Sequence, residues 1–148
     1  MSLQLQIDQQ LKEAMKKKEL EKISTLRLLK SAINYAAIQK SQKELTDQEI
    51  IGVISKEIKK REESILEYTK ANRTELAEKE KLEIAILKEF LPEAMSEEEM
   101  EALVKKVIEE TQAKDRKEMG VVMKTVIARA GGRADGKKLQ ELVKKYLG

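Results

Sequence analysis

The 148-residue sequence has no cysteine, no histidine and no tryptophan, and it contains a single proline, Pro92. Without cysteine there can be no disulfides and no thiolate metal sites. Without histidine the chain lacks the commonest general base and metal ligand, and any Ser–His or Cys–His nucleophilic pairing. Ser24, Thr25 and Ser64 therefore have no histidine to activate them. Only an oxygen-ligand metal site is left, and there is no EF-hand loop to form one. No glycine-rich nucleotide loop follows a strand-like segment. The expectation is no metal and no cofactor. Aromatic residues make up 3% of the chain, so its core must be built from Leu, Ile, Val, Ala and Met. No run approaches the roughly 18 apolar residues of a membrane span, and Met1-Ser2-Leu3-Gln4-Leu5 does not read as a signal peptide. Together these absences set the expectation of a cytoplasmic protein with no membrane contact.

What the chain does have is helix-forming sequence from end to end, and 39% of its residues are charged. The spacing predicts helices over about 3–18, 19–42, 46–71 and 72–91, then three shorter ones over about 97–112, 116–130 and 137–147. Thr46-Asp47-Gln48-Glu49 and Ser96-Glu97-Glu98-Glu99 read as capping boxes, and Asn72-Arg73-Thr74-Glu75 as an Asx cap with the same spacing. Asp115 and Asp135 are the expected caps of the last two helices. Leu28 and Tyr35 lie on a second side of the 19–42 helix, which predicts burial of more than one face. In the sixth helix Met119, Val122, Met123, Val126, Ile127 and Ala130 form the expected inner stripe. The fold class is all-α: an N-terminal bundle of about four helices over 1–92, then a small three-helix domain over 96–148. Pro92 and the Ser96 cap mark the boundary.

Two groups of residues are candidates for function. In the third helix, Glu57 and Arg61 interrupt the apolar stripe four residues apart, with Tyr68, Arg73, Glu80 and Glu83 further along. Such a pair reads as a clamp between helices, or as a groove holding a small substrate between acid and base groups. The second group surrounds Gly131-Gly132-Arg133-Ala134-Asp135-Gly136-Lys137. Residues 114–148 carry ten Lys/Arg against four Asp/Glu, a net of +6, leaving −3 for residues 1–113. A glycine turn at a helix start with cations around it holds phosphate through amide N–H groups and charge. Lys117, Lys124, Arg129, Arg133, Lys137, Lys138 and Lys144 are the expected RNA contacts, with Arg133 foremost because the turn fixes its direction. With Tyr146 assigned to the core and no other aromatic nearby, recognition by shape or backbone is expected rather than base stacking.

Several stretches resemble one family across nearly the whole chain. Arg61-x3-Ile65-x2-Tyr68-x2-Ala71-x-Arg73-x2-Leu76-Ala77-x2-Glu80-x2-Glu83-Ile84 closes with Phe90-Leu91-Pro92. Met119-Gly120-x-Val122-Met123 precedes Gly132-Arg133-Ala134-Asp135-Gly136, and Leu11-Lys12-Glu13-Ala14-Met15-Lys16 and Leu26-Arg27-Leu28-Leu29-Lys30 lie upstream. In these motifs the chain resembles the YqeY family, where Glu75 is more often Asp. The resemblance implies two helical domains and kinship with the tail of GatB, the subunit of glutamine-dependent tRNA amidotransferase that handles charged tRNA. It implies tRNA or a similarly folded RNA as partner, with an amidotransferase or another translation-associated protein beside it. On this reading the chain has no catalytic site of its own. The alternatives are carbon–nitrogen ligase activity with glutamine as amide donor, as the family resemblance also suggests, or a helical protein–protein adaptor.

Overall fold

The computed structural model describes residues 2–147, and these are all-α, with seven α-helices and no strand among them. The chain divides into two compact units, Met1–Leu91 and Pro92–Gly148. The first contains α1 (Leu3–Lys17), α2 (Leu20–Gln39), α3 (Asp47–Lys70) and α4 (Thr74–Lys88). The second contains α5 (Glu97–Thr111), a 3-10 turn at Arg116–Glu118, α6 (Met119–Ala130) and α7 (Gly136–Leu147).

Each unit is organised around its own apolar cluster. In the first, Ile7 of α1, Leu26, Leu29 and Ile33 of α2, Ile50 and Ile54 of α3 and Leu87 of α4 are buried together. In the second, Val104 and Val107 of α5, Val122 and Val126 of α6 and Leu139 and Val143 of α7 are buried together. Their spacing of three and four residues is what places them on one face of each helix. Met119 and Met123 only flank this cluster, and Ile127, expected in the inner stripe, is exposed. Leu28 and Tyr35 are exposed as well, so α2 buries one face rather than two.

The helix ends follow local rules, with informative exceptions. At α3 the Thr46 hydroxyl accepts from the Glu49 N–H while the Glu49 carboxylate accepts from the Thr46 N–H, a complete capping box. At α5 the Ser96 hydroxyl accepts from the Glu99 N–H, but the Glu99 carboxylate is bound by Arg133, which leaves the reciprocal half of the box unmade. Asn72 does not cap α4. It takes a left-handed φ of 59° beyond the end of α3, and the Arg73 N–H reaches back to the Tyr68 carbonyl. Asparagine suits both roles, and here the C-terminal one prevails. Lys18, Ser41 and Gln112 end α1, α2 and α5 in the same left-handed way, at an intrinsic cost of about 1–2 kcal/mol each. α2 therefore stops at Gln39, while α4 stops at Lys88 with a right-handed cap at Glu89; each is three residues short of the sequence expectation.

Glu49 also accepts from Lys40 at 2.7 Å and from Gln42 at 3.3 Å, tying the α2–α3 connection to the start of α3. Chiefly through the Lys40 hydrogen bond and then the Thr46 N–H, its carboxyl is lowered from 4.5 to about 2. A depressed folded-state value contributes stability above the unfolded value, and that stability is lost as pH falls through the folded one. Acid denaturation followed by circular dichroism is thus expected to remove this contribution between pH 4.5 and about 2. Glu49→Gln should flatten that part of the profile, and an identical acid limb in the variant would refute the assignment.

Candidate nucleic-acid interface

The seven cations expected to contact RNA all lie in the second unit, but their surroundings differ. The Arg133 Nε–H donates to the Glu93 carbonyl at 2.8 Å and its Nη2 to Glu99 at 3.0 Å, while the Met95 N–H donates to the Arg133 carbonyl. Left-handed Gly131 and Gly132, with φ of 59° and 83°, turn the chain into this position. The Arg133 side chain lies on the 93–99 segment, held there by these two bonds. Arg129 is ion-paired with Glu110 of α5, and that hydrogen bond holds the Glu110 carboxyl below its usual value. Lys138 stands 3.7 Å from Glu97. Lys117, Lys124, Lys137 and Lys144 are exposed and make no ion pair among the described residues.

The source of this division is α5. Glu97, Glu98 and Glu99 occupy its first turn, where the helix dipole favours carboxylates, and Glu109 and Glu110 its last. Counted over the whole unit, residues 92–148 hold 12 Lys/Arg against 11 Asp/Glu. The basic α6 and α7 are thus matched by acidic α5, and the positive charge is a local feature of one part of the unit.

One N–H of the amide cradle expected at the glycine turn is already taken. The Lys137 N–H donates to Asp135 Oδ1 at 3.0 Å, so a carboxylate sits where a phosphate would bind the start of α7. Asp115 likewise accepts from the Lys117 N–H at 2.9 Å, at the 3-10 turn that leads into α6. Tyr146, assigned to the core, is only partly buried. Lys105 Nζ stands 4.8 Å from its ring centre and Lys145 Nζ 5.3 Å. The sequence reasoning missed these two lysines. The four-residue step from Tyr146 back to Leu142 marked only its inner edge.

The motif residues of the first unit form a different cluster. Arg61 does not pair with Glu57. It reaches from α3 to α4, where its Nη1 bonds Glu83 and lies 3.2 Å from Glu80. The Arg61 and Glu83 side chains are only 12% and 7% exposed. Glu57 instead stands 3.7 Å from Lys60. Arg61 Nε is buried without a partner. Tyr68 lines a shallow groove on α3 with Lys60, Glu63, Ser64 and Glu67, and Arg73 lines another with Asn72, Thr74, Glu75 and Leu76. Arg61, Glu80 and Arg73 are therefore not gathered into one pocket. The hydroxyls of Thr25 and Ser64 donate to the carbonyls four residues earlier in their helices. Among the described residues no group of acidic side chains is arranged to hold a metal ion, and no helix is long and apolar enough to cross a membrane.

Two helical units with separate cores, the second pairing an acidic helix with two basic ones, define an all-α protein whose distinctive surface is charged. The sequence model of the family described as Yqey-like protein matches residues 4–147, and the chain belongs to the YqeY family. An uncharacterized protein of Schizosaccharomyces pombe is 42% identical over 96 residues, which is 64% of this chain and 76% of that one. The protein of Pyrenophora tritici-repentis named altered inheritance of mitochondria protein 41, mitochondrial, is 33% identical over 141 residues, 90% of this chain and 76% of its own. Its namesake in Lachancea thermotolerans is 36% identical over 102 residues, and the match spans 54% of that longer protein. These names overturn the expectation of a cytoplasmic location, because relatives matched along most of this chain are named as mitochondrial proteins.

Proposed function

We propose that this YqeY-family protein binds folded RNA of the tRNA class through the basic side of its second unit, without chemistry of its own. The observation that carries the reading is the set Lys117, Lys124, Lys137 and Lys144, four exposed cations with no ion partner among the described residues, within a segment of net charge +6. Phosphate contacts of this kind supply affinity without reading sequence, which suits recognition by shape. Arg129, Arg133 and Lys138, each held by an α5 carboxylate, contribute mainly by holding the helices in place. The kinship with a tRNA-handling tail that the family resemblance implies supports the same reading.

The test is a titration of fluorescently labelled bulk tRNA at several salt concentrations. Binding should weaken as salt rises, and each lysine replaced should reduce the salt slope by about one unit. The fourfold Lys→Glu variant should lose most of the affinity measured at low salt. Arg133→Gln, in contrast, should change thermal stability more than affinity. No binding by the unaltered protein at low salt, or full binding by the fourfold variant, would defeat the proposal.

A further inference from the structure

The ion pairs of the second unit gather at the α6–α7 connection, where the sequence pointed to a phosphate site. Four cations fall between Arg129 and Lys138, and three of them are paired: Arg129 with Glu110, Arg133 with Glu99 and Lys138 with Glu97. All three carboxylates belong to α5. The acidic residues closer by in sequence are used differently. Asp115, Glu118 and Asp135 accept from backbone N–H groups. Glu141 makes no ion pair, although Lys137, Lys138, Lys144 and Lys145 stand three or four residues from it.

Both members of each pair are open to water. An ion pair this exposed is weak, so a phosphate can take the cation from its carboxylate. The exchange brings little net gain, because the carboxylate left behind then faces the RNA with its charge unbalanced. The counterion that the phosphate gives up is taken back by that carboxylate, and the salt dependence of binding gains nothing. An unpaired lysine such as Lys137 contributes its whole contact.

We propose that Glu97, Glu99 and Glu110 of α5 restrain RNA binding by standing in for phosphates at the α6–α7 connection. Three cations able to hold RNA are thereby withheld from it. The proposal rests on the RNA reading above and adds a means of regulation to it. Whatever neutralises these carboxylates raises affinity without supplying any new cation.

The salt titration with labelled bulk tRNA, run on the full chain, tests this. Glu97→Gln, Glu99→Gln and Glu110→Gln together should tighten binding at low salt by about tenfold or more. The salt slope should steepen by up to about three units, one for each cation released. Glu98, Glu101 and Glu109 form no ion pair among the described residues. Replacing these three by Gln removes the same charge from the same helix and should move the slope by less than about one unit. Glu110→Gln alone leaves the first turn of α5 intact and serves if the triple variant melts early. Arg129→Gln should abolish the gain of Glu110→Gln, yet change affinity little in the unaltered protein. Equal slopes in the two triple variants, or a Glu110→Gln gain that survives the loss of Arg129, would overturn the proposal and leave the RNA reading standing. Should the unaltered protein not bind, binding by the first triple variant alone would still bear out the restraint, and binding by neither would overturn both.

Discussion

Arg61→Met is expected to destabilise the first unit by about 3–5 kcal/mol, because it strands the Glu83 carboxylate among apolar side chains. Glu83 is nearly inaccessible, and its only ion partner among the described residues is Arg61. Glu80 is more exposed and can turn to water, so most of the loss comes from Glu83. Pairing the change with Glu83→Leu should restore much of the stability, since a well-packed apolar pair replaces a buried ionic one at little net cost. Urea denaturation of the two single variants and the double variant would measure this. If Arg61→Met falls within about 0.5 kcal/mol of the unaltered protein, as surface changes do, the clamp reading fails.

In the second unit the largest effect is expected from Leu139→Ala. Leu139 is fully buried among Val104, Val126 and Val143, and such truncations cost about 2–5 kcal/mol. A unit of this size is only about 3–9 kcal/mol more stable than its unfolded state, so the variant should lose much of its margin. Hydrogen exchange read by mass spectrometry should show protection collapsing over α5, α6 and α7 while α2 and α3 keep theirs. An equal fall in both units would contradict the assignment of separate cores.

Arg61 shows how far sequence reading reached and where it stopped. Its four-residue spacing from Glu57 was visible, as was its place in the middle of an apolar stripe. Which carboxylate it would choose depended on how α4 lies against α3, and the repeat of one helix holds no information about its neighbour. Leu28 and Tyr35 failed for another reason. Apolar character says that burial would be favourable, not that a partner surface exists within the chain. Asn72 was misassigned because one side chain suits two opposite helix ends. The basic cluster was read correctly as a count of charges, but the acidic first turn of α5 that answers it lies thirty residues and more upstream. Element type, by contrast, followed from periodicity except at Arg116–Glu118, a 3-10 turn where an α-helix was expected, because each helix buries its own stripe.

The hold of Arg133 on Glu93 and Met95 bears on how the second unit should be cut free for study. A fragment beginning at Ser96 would discard both backbone groups that fasten the glycine turn, leaving the Arg133 carbonyl and Nε to water and Glu99 to hold that side chain alone. A fragment beginning at Pro92 keeps them. The shorter piece should therefore melt at a lower temperature than the longer one, a difference of four residues on paper and of a fastened or open seam in solution.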